Sequence, residues 1–134
     1  RCAELCGTSH AYMEAPVVVV NDEAYDAWIV EQIKIAEESK TPEGQGKLLA
    51  TKNGCVGCHS ADGTAMTGPT WFNLYGSEVK LSDGSTVTAD DAFITESILQ
   101  PTAKVVNGFP PVMPPYTLTD EEISYIIAYI KTLK

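Results

Sequence analysis

Cys55-Val56-Gly57-Cys58-His59 constrains this chain more than any other stretch of it. Two thiols separated by two residues, with an imidazole immediately after, match the spacing at which a haem is attached through two thioethers while the histidine ligates its iron. A macrocycle tied at two points and approached from one face by the next side chain has little entropy left to lose. The polypeptide then has to wrap a flat, apolar plate. Cys-x-x-Cys by itself also serves zinc knuckles and thioredoxin-like dithiols, so a second, distant ligand is what separates these chemistries.

Such a ligand stands in Gly108-Phe109-Pro110-Pro111-Val112-Met113-Pro114-Pro115-Tyr116. Pro110, Pro111, Pro114 and Pro115 exclude both helix and central strand, because each lacks a donor and fixes φ. A stiff irregular loop can hold one thioether against a porphyrin, and Met113 is the expected sixth ligand. A gap-filling core methionine is the alternative. Met66 follows His59 too closely to pass to the opposite face of a haem, and Met13 belongs to a different motif.

Between the two ligands lies Thr67-Gly68-Pro69-Thr70-Trp71. With these residues the chain resembles the class I c-type cytochromes, small helical proteins with an early haem-attachment motif and a late methionine ligand. The resemblance implies that the Pro69 carbonyl accepts the His59 Nδ1–H bond, which sets the imidazole tautomer and raises its basicity. It also implies that Trp71 and Tyr75 pack around the haem and its propionates. A plain core role for these two aromatics is the other possibility.

Local signals agree with a mainly α fold. Thr119-Asp120-Glu121-Glu122 is a capping box, with Leu118 and Ile123 spaced for a hydrophobic staple. Ile123, Ile126, Ile127, Ile130 and Leu133 then form an apolar stripe at helical spacing. Thr41-Pro42-Glu43 reads as an N-cap followed by proline at the first helical position, and Asn53-Gly54 reads as the stop. The resemblance to the class I cytochromes implies that Gly46 lets this helix cross the last one closely, near Tyr129. A further helix is expected from Thr88 to about Leu99, ending before Pro101. Lys80 to Val87, with Asp83-Gly84 in its middle, reads as a turn or short hairpin. Together these predict a cytochrome domain over residues 41–134.

The first residues carry another motif. Cys2-Ala3-Glu4-Leu5-Cys6-Gly7-Thr8-Ser9-His10-Ala11-Tyr12-Met13 gathers two thiols, an imidazole and a thioether, soft donors that copper favours. It resembles the copper loop of cytochrome c oxidase subunit II. The resemblance implies that Cys2, Cys6, His10, Met13 and the Glu4 carbonyl serve the dinuclear copper centre called CuA. A disulfide or loose zinc pair is the alternative. That centre sits on a cupredoxin-like sandwich and needs a further upstream histidine, so the expectation is a remnant of a longer parent, with copper incomplete in residues 1–40. Val17-Val18-Val19-Val20 fits the last strand of such a sandwich. Asn21 reads as the cap of a helix from about Asp22 to Glu38, with Tyr25, Trp28, Ile29, Ile33 and Ala36 on one face. A strand without its sheet would seek the cytochrome domain or a second copy of the chain as a pairing partner.

Composition bounds the function. A net charge of −9 disfavours nucleic acid and anionic lipid and favours a basic or uncharged donor protein, although solubility alone also accounts for it. No run is long enough to span a bilayer, so the anchor is expected in the parent. His10 and His59 are the only histidines, and each has a metal assignment, which leaves none for acid–base catalysis. Taken together, the motifs resemble the caa-type haem–copper oxidases, whose subunit II carries a fused cytochrome c. The resemblance implies one covalent haem c and a path from an external electron donor to CuA and then to the oxygen-reducing subunit I. It implies the outer face of a prokaryotic cytoplasmic membrane as the location, and a fragment that by itself is not an enzyme. The rival readings are a stand-alone cytochrome, a peroxidase-like haem protein and a zinc-binding interaction module.

Overall fold

The computed structural model describes residues 16–134. The expected copper ligands Cys2, Glu4, Cys6, His10 and Met13 lie outside the described residues. The chain divides into two compact units, residues 1–33 and 34–134.

In the first unit Val17 to Val20 form no strand, contrary to expectation. A strand exists only through a ladder to a neighbour, and no partner segment is paired with these valines among the described residues. Helix α1, Asp22–Glu38, begins where expected, with the Ala24 N–H donating to Asn21 Oδ1 at 2.9 Å. Tyr25 and Trp28 stack obliquely along its exposed surface, their centroids 5.9 Å apart.

The second unit is built on a crossing of two helices. Helix α2, Pro42–Lys52, is capped by the Thr41 hydroxyl, which accepts from the Gly44 N–H, and stops at Asn53. Gly54 follows in the left-handed region at φ 73°. Helix α4, Asp120–Thr132, carries a complete capping box between Thr119 and Glu122 and buries Ile123, Ile126, Ile127 and Ile130. These two helices pack chiefly on each other. The approach needs Gly46: a Cβ built there would overlap the Tyr125 carbonyl and lie 2.9 Å from Tyr129 Cβ.

The capping carboxylate makes part of this stability pH-dependent. Glu122 accepts from the Thr119 backbone N–H at 2.8 Å and from its hydroxyl at 3.1 Å, and these bonds, the backbone one foremost, hold its carboxyl below the usual range. A carboxyl depressed in the folded state stabilises above its unfolded value and loses that contribution as pH falls through its folded value. Glu122→Gln is therefore expected to be less stable than the parent at neutral pH and to converge with it in acid. Thermal unfolding across that range measures the difference; a gap independent of pH would contradict it.

Strands β1, Glu78–Lys80, and β2, Thr86–Thr88, form an antiparallel hairpin with Val79 opposite Val87. Gly84 supplies φ 89° in the turn, as Asp83-Gly84 predicted. Helix α3, Asp91–Leu99, starts later than expected. Thr88 is held in the hairpin opposite Glu78, and Asp90 takes the capping role instead, its carboxylate accepting from the Phe93 N–H at 2.8 Å. A third arm was not anticipated: Leu81 bridges Val106, and the Asn107 N–H donates to Lys80 O at 2.9 Å. This arm brings the proline-rich loop back over the core of Trp71, Val79, Leu81, Phe93 and the α4 isoleucines.

Candidate metal centre

The Cys-x-x-Cys-His motif leaves α2 through Gly54 and forms a single tight turn, Cys55–Gly57. The turn is closed by the Cys58 N–H and the His59 N–H, both donating to Cys55 O. Cys55 and Cys58 are free thiols rather than a disulfide. Burial pushes the Cys55 thiol above its ordinary value, the effect of the neighbouring Cys58 adding to it.

From His59 the chain loops out and returns on itself. The Gly68 N–H donates to Cys58 O at 2.9 Å and the Trp71 N–H to Ser60 O at 2.8 Å. Buried Ser60 braces the loop from within, its Oγ lying 2.6 Å from Thr64 O and 2.8 Å from Thr70 Oγ1. This bracing aims the intervening Pro69 carbonyl at His59, with Nδ1 at 2.7 Å. A carbonyl only accepts, so Nδ1 carries the proton and Nε2 keeps its lone pair. Burial lowers the His59 value, against the opposing effect of the Pro69 bond, and so favours the neutral ring. Gly68 leaves the room this needs, since a Cβ there would sit 2.8 Å from His59 Cε1. The Pro69 carbonyl thus faces His59 Nδ1, whereas nothing in the sequence pattern singled out Ser60 and Thr70.

Trp71 is buried and stacks on the imidazole, 5.2 Å between centroids and 11° between planes, while Tyr129 meets it edge-on at 6.3 Å. Tyr75 lies elsewhere. It is not among the side chains lining the cavity; its ring sits under the Lys131 ammonium at 4.5 Å, beside the 2.8 Å Lys131–Asp91 ion pair that joins α4 to α3. An aromatic's position in the sequence does not reveal which side of a loop it takes.

Cys55, Cys58, His59 and Met113 all line one cavity of about 420 Å³, whose remaining walls are mostly apolar and include Trp71, Phe93, Ile98 and Ile126. Met113 is half-buried against the core, and Met66 is exposed and lines no part of it. A cavity of this size and polarity suits a flat organic cofactor. Its donor set, two thiols, an imidazole nitrogen with a free lone pair and a thioether, suits a covalently held haem. Among the described residues no group of three or more His, Cys, Asp or Glu could hold a metal ion.

The family model for cytochrome c matches residues 44–134. The chain belongs to the cytochrome c family. Its mainly helical architecture is the one the class I cytochromes led us to expect, and haem c is the cofactor of the family. Along its whole length this cytochrome chain is also similar to proteins named cytochrome c oxidase subunit 2. The one from Alkalihalophilus pseudofirmus is 31% identical over 136 residues, covering all of this chain and 38% of the relative. The Bacillus subtilis protein is 28% identical over 144 residues, with the same coverage of 100% and 38%. A Cereibacter sphaeroides subunit 2 is 62% identical over 29 residues, 22% of this chain and 10% of that protein. The chain thus spans less than two fifths of the length of the first two relatives.

Proposed function

We propose that this cytochrome domain carries one haem c, bound through Cys55 and Cys58 and ligated by His59 and Met113, and relays electrons within a haem–copper oxidase. The observation that carries the proposal is the convergence of all four side chains on one apolar cavity, with the His59 Nε2 lone pair left free by the Pro69 bond. When bound, the haem supplies reversible one-electron chemistry. The chain supplies everything else. Pro69 fixes the imidazole tautomer, the proline-stiffened loop presents the thioether, and the apolar walls would limit the access of water to a bound haem. Methionine ligation sets the potential higher than two nitrogen ligands would.

The similarity to oxidase subunit 2 proteins supports a wider reading. Residues 1–40 are the tail of a copper domain and 41–134 the cytochrome. In the whole protein Cys2, Glu4, Cys6, His10 and Met13 would serve CuA. Electrons pass from an external donor protein through this haem to CuA and on to catalytic subunit I, at the extracytoplasmic face of the membrane. Among the described residues no helix is long and apolar enough to cross a membrane. The domain alone transfers electrons and does not reduce oxygen. Tethering replaces collision with an intramolecular step at high effective concentration. The exposed Val17–Val20 segment is available to pair with the rest of the copper domain or with a second chain.

The test is mass spectrometry with a pyridine haemochrome spectrum on chain matured in a haem-attaching host. One haem per chain should survive denaturation, and the Cys55→Ala, Cys58→Ala double variant should lose it entirely. A colourless protein with stoichiometric zinc would refute the proposal.

A further inference from the structure

Tyr116 has a role that its place in the sequence does not suggest. It follows Met113 by three residues and is tied at both ends. Its N–H donates to Ile98 O at 3.1 Å, at the close of α3, and its hydroxyl donates to Asn53 O, also at 3.1 Å, at the close of α2. Asn53 O is a helix-terminal carbonyl that α2 itself leaves without a donor, and it precedes Cys55 by two residues. The Tyr116 ring itself lines the cavity.

The loop has few other means of holding itself. Pro110, Pro111, Pro114 and Pro115 donate no backbone bond. Upstream it is fastened through Asn107 to Lys80 and by the Phe109 N–H to Val106 O; within it the Val112 N–H reaches only Pro110 O. Downstream of Met113 the first fastening is Tyr116. The hydroxyl therefore joins the segment that presents the thioether directly to the segment that presents the thiols and imidazole.

Building on the Met113 assignment above, we propose that Tyr116 is a positioning residue: its hydroxyl bond to Asn53 O holds the Met113 loop closed over the cavity and so limits replacement of the thioether by external ligands. A ligand that binds only the loop-open form has its apparent affinity reduced by the fraction of open molecules. Loss of one hydrogen bond that exists only in the closed form raises that fraction by roughly two- to tenfold. Tyr116→Phe removes the bond and keeps the ring, so cavity packing is preserved.

The experiment is imidazole titration of the oxidised, haem-loaded full chain, followed by loss of the sulfur-to-iron charge-transfer band. Tyr116→Phe should bind imidazole roughly two- to tenfold more tightly than the parent. Ile127→Val, which loosens the core at a residue that does not line the cavity, should leave the affinity unchanged. The proposal is overturned if Tyr116→Phe only lowers the melting temperature, or if Ile127→Val raises the affinity equally. In either case loss of the band in Met113→Ala would leave the ligand assignment standing. Persistence of the band in Met113→Ala would overturn the assignment, and the role of Tyr116 with it.

Discussion

Gly46→Ala is expected to destabilise the protein by about 3 kcal/mol or more, the upper end of overpacking costs, or to prevent folding of the haem-loaded form. Two effects oppose each other at this position. Alanine is the better helix former by about 1 kcal/mol, so in an exposed helix the change would stabilise. Gly46 is buried in the crossing of α2 over α4, and the added carbon would overlap the Tyr125 carbonyl oxygen. The obstacle is backbone inside a hydrogen-bonded helix, which cannot swing aside as a side-chain tip can. Relief requires the helices to separate at Tyr125 and Tyr129, which opens the packing of α2 against α4, the principal helix contact of the second unit. Denaturant unfolding of the matured protein measures the outcome. A variant as stable as the parent, or more so, would mean that the crossing is looser than described.

Met113→His should keep the haem attached, because Cys55 and Cys58 are untouched, and should lower its midpoint potential by on the order of 0.1 V, within the span of about 0.8 V that axial ligands command. A thioether favours the reduced iron, and a second imidazole favours the oxidised form. Spectroelectrochemistry reads the shift, and the sulfur-to-iron band should vanish with it. The loop is stiff and Tyr116 remains in place, so the imidazole enters where the sulfur left. An unchanged potential would point to another axial ligand. Because Met66 is exposed and outside the cavity, Met66→His should leave the potential at its parent value.

The local devices were legible wherever a few adjacent residues complete them. The Thr119–Glu122 box, the Thr41-Pro42 start, the Asn53-Gly54 stop and the Asp83-Gly84 turn each lie within a handful of positions, and all are present. The isoleucine stripe of α4 was equally readable, since period is carried by sequence alone, whereas the glycine at the helix crossing was implied by the resemblance to the class I cytochromes. Misreadings arose where two local options compete and a distant partner decides. Thr88 and Asp90 are both good N-caps, and the pairing of Thr88 with Glu78 left the role to Asp90. Four valines have strand propensity, yet a strand is a property of two segments, and the second is not paired here.

Sequence alone carried two thiols, an imidazole and a thioether at spacings that match a covalent haem, and the helices that flank them. Tertiary structure alone decided which tautomer His59 adopts, that Trp71 rather than Tyr75 stacks on its ring, and that Tyr116 links the Met113 loop to the end of α2 just before Cys55. The physical reason is range. Ligand identity and helix caps depend on residues a few positions apart, whereas a bond between residues 53 and 116 exists only after the chain has closed around its core.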